Sequence, residues 1–171
     1  TVDSKLAFSG KPDHTLTIHA RTSSAGDIKI YNRYKYTAQE RLYSQTHEIA
    51  GQGAEQLLSI NSYDELGQLI SKRTGGIDLA GNACLQKVDY RYNIRGWLTD
   101  INSVNNFEDE TISNKDLFAF KLNYWDVGGS VDSSLPALFN GNISQSSWVS
   151  RSDLKKRNYT YRYDPLNRLK S

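Results

Sequence analysis

The sequence predicts an all-β fold assembled from repeated hairpins. Three observations predict it: one aromatic, turn and aliphatic segment recurs four times, tyrosine dominates the aromatics, and no apolar run keeps a helical period. There are 11 Tyr against 5 Phe and 3 Trp. Tyr suits a half-buried pleated surface, where the ring packs and the hydroxyl stays wet.

The recurring segments align without gaps. They are Tyr34-Lys35-Tyr36-Thr37-Ala38-Gln39-Glu40-Arg41-Leu42, Asn61-Ser62-Tyr63-Asp64-Glu65-Leu66-Gly67-Gln68-Leu69, Tyr90-Arg91-Tyr92-Asn93-Ile94-Arg95-Gly96-Trp97-Leu98 and Tyr161-Arg162-Tyr163-Asp164-Pro165-Leu166-Asn167-Arg168-Leu169. Each slot has a physical reason. Tyr-x-Tyr places two rings on one face of a strand, because side chains alternate with period two. The oxygen of Thr37, Asp64, Asn93 or Asp164 accepts from amides a few residues on and starts a tight turn. Gly67, Gly96 and Asn167 stand where the chain needs positive φ to leave a type I turn. Pro165 fits the first turn corner. A polar residue such as Arg168 and then Leu42, Leu69, Leu98 or Leu169 open the return strand. Glu40 stands where Gly or Asn is wanted, so the first of these hairpins is expected to have a different or looser turn. Trp97 replaces the polar slot and is expected to pack on a neighbouring layer.

Along the chain, Leu16–Ala20 and Asp27–Tyr31 read as strands around the turn Ser23–Gly26, and Ala50–Glu55 as a flexible connector or a short helical start. The clear repeats cover about 30–101 and 158–171. From Tyr36 to Tyr63 the step is 27 residues, from Tyr63 to Tyr92 it is 29, and from Tyr92 to Tyr163 it is 71. The long step leaves room for two degenerate strand pairs over about 116–157, carried by Phe118–Trp125 and by the Asn140-Gly141 turn cue before Ser147-Trp148-Val149. Polar residues 102–115 are expected to be an insertion, a loop or short helix outside the sheet. A lone hairpin is marginally stable, so the units are expected to pair edge to edge with their neighbours. Residues 1–171 therefore read as a single fragment of a longer array, as does a chain without Met that begins at Thr1.

The segments Tyr63–Leu69 and Tyr161–Leu169 resemble the YD repeats of Rhs proteins, Tc-toxin shells, wall-associated toxins and teneurins. The run Tyr90–Thr99, with Asp116–Phe120 and Phe139–Ile143, is similar to Rhs-repeat proteins of the Bacteroidetes. The resemblance covers roughly residues 30 to 171. It implies hairpins paired into one long sheet spiralling round a hollow, in a secreted or cell-surface shell that encloses or presents a C-terminal toxin or other effector in competition between bacteria. The implied partners are the rest of the same shell, the enclosed effector and a secretion machinery. Asp164-Pro165-Leu166-Asn167 lacks the Gly of the Asp-Pro-x-Gly self-cleavage region that such proteins carry, so self-cleavage is not expected within this chain.

Little in the sequence points to catalysis, and no enzyme activity, cofactor or metal is expected. His14 and His19 are five apart on one strand and point to opposite faces, while His47 is remote from both. No Cys-x-x-Cys, phosphate-binding glycine loop or nucleophile elbow occurs. Glu108-Asp109-Glu110 reads as a solvated loop without calcium-loop spacing. Cys84 lies in a small-residue turn without a nearby His, and as the only cysteine it excludes an internal disulfide. A net charge of +2, from 21 basic and 19 acidic residues, does not make a nucleic-acid footprint, and Lys155-Lys156-Arg157 reads as a loop. No apolar run is long enough to insert in a membrane as a helix. The alternative function is an adhesin surface whose tyrosines, with Trp125 and Trp148, bind carbohydrate or protein.

Overall fold

The computed structural model describes residues 2–6, 10–19, 26–107, 116–125 and 138–170. Every regular element among them is a β-strand, and each is antiparallel to the strands it pairs with. The chain divides into two compact units, Thr1–Lys87 and Val88–Ser171.

The first unit holds β1 (Val2–Leu6), β2 (Pro12–His19), β3 (Ile28–Tyr36), β4 (Leu42–Ile49), β5 (Gln56–Tyr63) and β6 (Leu69–Thr74), each paired with its sequence neighbour. The turn proposed at residues 23–26 falls, apart from Gly26, outside the described residues. Inside β5 the pairing passes from Gln45↔Ser59 to Thr46↔Leu57, leaving Leu58 as an extra residue. Such a bulge breaks the alternation by one step. Leu57 and Ile60, three apart, therefore both turn inward at 1% and 4% exposure, while Leu58 stays exposed.

The connection 75–85 covers those two side chains. A Cβ on Gly81 would lie 2.9 Å from Ile60 Cδ1 and 3.5 Å from Leu57 Cδ2. The Asp78 carboxylate shapes this loop by accepting from the amides of Ala80, Asn82 and Ala83 at 2.7–2.9 Å. Those bonds hold its pKa below the ordinary aspartate value, the Ala83 amide contributing most. Cys84, near the end of the same loop, is buried.

The second unit takes in most of β7 (Gln86–Tyr92), then β8 (Leu98–Ile101), β9 (Phe118–Asn123), β10 (Gln145–Ser150) and β11 (Arg157–Thr160). Beyond β11, Tyr163 bridges Leu169. Val104 and Phe107 join Ala119 and Val149 in a buried cluster. Burying such side chains stabilises by roughly 1.5–3 kcal/mol each. Arg151 lays its guanidinium 5.6 Å from the Phe107 ring centroid and donates from Nε to the Asp116 carbonyl at 3.0 Å.

The stretch 102–107 is irregular as expected, yet it does not stand clear of the sheet, because two apolar residues in a polar run anchor it there. Residues 108–115 lie outside the described residues. Between Ile101 and Arg157 the described strands form one hairpin, β9–β10, and residues 126–137 of its connection lie outside the described residues. Asn140-Gly141 does not begin a hairpin of its own. It ends the long β9–β10 connection, with Gly141 at φ 96°.

Candidate functional site

The four recurring segments fold into one turn. In each, the amide of the Gly-slot residue donates to the carbonyl of the Asp-slot residue, whose own amide donates to the residue after the Gly slot. These bonds are Glu40→Thr37 and Thr37→Arg41, Gly67→Asp64 and Asp64→Gln68, Gly96→Asn93 and Asn93→Trp97, and Asn167→Asp164 and Asp164→Arg168, all at 2.8–3.0 Å. The turn-slot side chain adds a further acceptor: Asp64 Oδ1 takes the Gln68 amide, Asn93 Oδ1 the Trp97 amide and Asp164 Oδ1 the Arg168 amide. Gly67, Gly96 and Asn167 have φ of 83°, 78° and 59°.

The first turn corrects the sequence reading. Glu40 adopts φ 61° and closes the same turn as the others. An L-residue there costs roughly 1–2 kcal/mol. Thr37 Oγ1 accepts from the amides of Gln39 and Arg41, and Lys11 reaches both the Glu40 carbonyl and, at 3.8 Å, its carboxylate. These contacts offset the strain.

The register reveals two more copies. Tyr36↔Leu42, Tyr63↔Leu69 and Tyr92↔Leu98 are each followed by one extra residue on the return strand. Leu6↔Pro12 repeats this, with Gly10 at φ 79° in the Gly slot. Asn123↔Gln145 and Gly141 put Tyr124 and Ile143 in the same two slots of β9–β10. Sequence alignment missed both. Leu6 and Pro12 replace the Tyr and Leu of one, and a long connection separates the slots of the other.

The alignment exposes a contact that joins hairpins. Tyr36 donates its hydroxyl to the Pro12 carbonyl at 2.8 Å, Tyr63 to Leu42 at 2.9 Å, Tyr124 to Leu98 at 3.1 Å and Tyr163 to Ile143 at 3.0 Å. In every case the acceptor is the Leu-slot residue of the hairpin before. The backbone ladders at these seams end at His14↔Arg33, Ser44↔Ile60, Asp100↔Lys121 and Gln145↔Thr160. Each last pair stands two residues inside the Leu slot, so the Tyr hydroxyl serves a carbonyl that the ladder leaves unserved.

The residue before the Leu slot reinforces the seam. Lys11 lies over the Tyr36 ring at 5.5 Å and Arg41 over Tyr63 at 5.8 Å. Trp97 packs against Tyr124 with centroids 5.2 Å apart, on the neighbouring hairpin of the same sheet and not on another layer. The first Tyr of each pair is less uniform. Tyr34 and Tyr90 sit in their ladders opposite Gln45 and Ile101, whereas Tyr161 shares a 2.9 Å hydrogen bond with Ser146. Arg168 Nε donates to Asp164 Oδ2 at 2.6 Å, and Asp164 is held below its ordinary pKa chiefly by the Arg168 amide.

Three cavities lie at equivalent seams. One of about 490 Å3 is lined by His14, Arg33 and Tyr34, one of about 410 Å3 by Arg41, Tyr43 and Asn61, and one of about 240 Å3 by Asp100, Lys121 and Tyr124. Elsewhere charges pair across strands. Arg33 binds Glu48 and Glu55 at 2.9 Å each, and Glu55 is held below the ordinary glutamate value first by the Thr46 hydroxyl and then by Arg33. Arg157 lowers the Asp153 carboxyl to about 2.

His14 Nδ1 is 2.8 Å from Asp13 Oδ1, and His47 Nδ1 is 2.8 Å from Asn32 Oδ1. The His19 side chain and residues 108–110 lie outside the described residues. No group of three or more His, Cys, Asp or Glu among the described residues is placed to hold a metal. Both tryptophans of the adhesin reading carry an arginine: Arg95 lies 5.7 Å from the Trp125 ring centroid, and Arg157 4.6 Å from that of Trp148. No protein-family model matches the chain, and no curated protein matches it.

Proposed function

We propose that the chain is a structural repeat scaffold, a stretch of a YD/Rhs-type hairpin array in the wall of a large secreted or cell-surface shell. In this reading the shell encloses or presents a C-terminal effector and leaves catalysis to it. The observation that carries the reading is the tyrosine contact by which Tyr36, Tyr63, Tyr124 and Tyr163 each reach the hairpin before, since it binds copies of one repeat to their neighbours. The extra residue after the Leu slot in four of the hairpins supports a spiralling sheet, because a bulge at the same point of each hairpin adds twist of one hand. Among the described strands β1 pairs with β2 alone, an open edge that a further hairpin of the shell would cover.

The test is limited proteolysis of the natural polypeptide that carries this chain. An enclosed effector should survive protease until the hairpin array is unfolded by denaturant. Digestion of the effector at the same rate inside that polypeptide and in isolation would refute enclosure.

A further inference from the structure

Cross-strand pairing decides which side chains share a face of the sheet, because facing residues point the same way and neighbours along a strand alternate. In the first unit the register places Lys29, Arg33, Lys35, Glu48 and Arg73 on one face. The other face holds Tyr34, Tyr36 and Tyr63, with Thr17, Asn32 and Gln45. Among its described paired residues, Lys72 is the one Asp, Glu, Lys or Arg. The second unit is sorted in the same way. Arg91, Asp100 and Lys121 line up across β7, β8 and β9, while Tyr90, Ile101, Phe120 and Trp148 line up on the tyrosine face. There Arg157 is the one charged residue among those described as paired. Segments outside the sheet also choose the charged face in both units. Leu57 and Ile60, which the 75–85 connection covers, pair with Thr46 and Ser44 on the face of Arg33 and Lys35. Ala119 and Val149, packed with Val104 and Phe107, share the face of Lys121. On the tyrosine face, Phe118 and Tyr159 stay 42% and 53% exposed.

We propose that the tyrosine face of each unit is the inner surface of the shell wall, in contact with the enclosed polypeptide, and that the charged face is the outer surface. The assignment rests on the shell reading given above. Charge on the outer surface keeps a large protein soluble, whereas a sheet face that shows aromatic rings and almost no charge invites association unless something occupies it. The occupant is the effector chain. Thr, Asn and Gln side chains meet its amides, and Ile, Phe and Trp side chains meet its apolar groups. A wall almost without fixed charge neither attracts nor repels that chain by its net charge, so one wall suits effectors of different sequence. The segments packed outside the sheet then lie on the outer side, where they take no room from the cargo.

The experiment is thiol labelling of the natural polypeptide that carries this chain, with one cysteine introduced at a time. Lys29→Cys and Arg91→Cys sample the charged face, and Gln56→Cys and Tyr159→Cys the tyrosine face. All four positions are exposed in the wall itself, so protection reports enclosure and not local burial. The reagent is a maleimide on a polyethylene-glycol chain too bulky to enter a closed shell, and mass spectrometry of digests reads each introduced site. Lys29→Cys and Arg91→Cys should take the polymer in the native protein. Gln56→Cys and Tyr159→Cys should lose that labelling and regain it only in denaturant. The opposite pattern would overturn the inference and leave the shell standing. Protection of all four thiols would overturn the charged face as the exterior. Equal labelling of all four in the native protein would overturn the shell reading and this inference with it.

Discussion

Replacing Gly67 with Ala tests the turn and the seam together. Gly67 has φ 83°, where an L-residue costs roughly 1–2 kcal/mol. The new Cβ would also fall 2.0 Å from Arg41 Nη2 and 2.2 Å from Cζ, so the guanidinium must leave. Arg41 then loses its place 5.8 Å from the Tyr63 ring centroid, a contact worth roughly 0.5–1 kcal/mol at an exposed site. The sum is about 1.5–3 kcal/mol. With a urea slope of about 2 kcal/mol per molar, the unfolding midpoint should fall by roughly 0.8–1.5 M. Gly51→Ala is the control: its φ is 74°, and a Cβ there meets nothing within 4 Å. It should show the backbone penalty alone. In an Arg41→Ala background the two glycine substitutions should cost the same. The reasoning fails if Gly67→Ala costs no more than Gly51→Ala in the wild type, or if removing Arg41 leaves the difference intact.

Three further outcomes are expected. Tyr36→Phe, Tyr124→Phe and Tyr163→Phe should each lower stability by about 0.5–1.5 kcal/mol in urea unfolding. Tyr63→Phe should cost less, because Asn61 also donates to the Leu42 carbonyl; midpoints unchanged in all four would dismiss the hydroxyl contacts. Phe107→Ala, which empties the cluster with Val104, Ala119 and Val149, should cost roughly 3–5 kcal/mol, and a loss below ~1 kcal/mol would mean that the 102–107 segment does not pack there. Glu55 has a lowered folded-state pKa, so its contribution is full above the ordinary value of 4.5 and is lost as pH falls through the lowered value. Stability should therefore decline below pH 4.5, and Glu55→Gln should remove part of that decline in acid titrations followed by circular dichroism.

The turns were legible in the sequence because their chemistry is local. An acceptor side chain, a positive-φ residue and a Leu within seven positions specify the turn without distant partners. Glu40 escaped that logic because its support comes from Lys11, 29 positions away. The hairpin at Leu6–Pro12 was hidden because register preserved the geometry while both marker residues were replaced. The inward turn of Leu57 could not be read either, since a bulge at Leu58 breaks the alternation on which strand patterns depend. The seam cavities and the hydroxyl contacts join separate repeats, and a motif describes one repeat at a time.

The β9–β10 hairpin spaces its Tyr and Leu slots 19 residues apart, from Tyr124 to Ile143, where Tyr63 and Leu69 stand 6 apart. The pairing beside those slots is nonetheless the same, Asn123↔Gln145 against Ser62↔Ser71. Closing the longer loop costs only about 1 kcal/mol more by the logarithmic dependence on length. The hairpin tips are thus natural graft points: foreign sequence can be spliced in there, and the strands on either side need not relearn their partners.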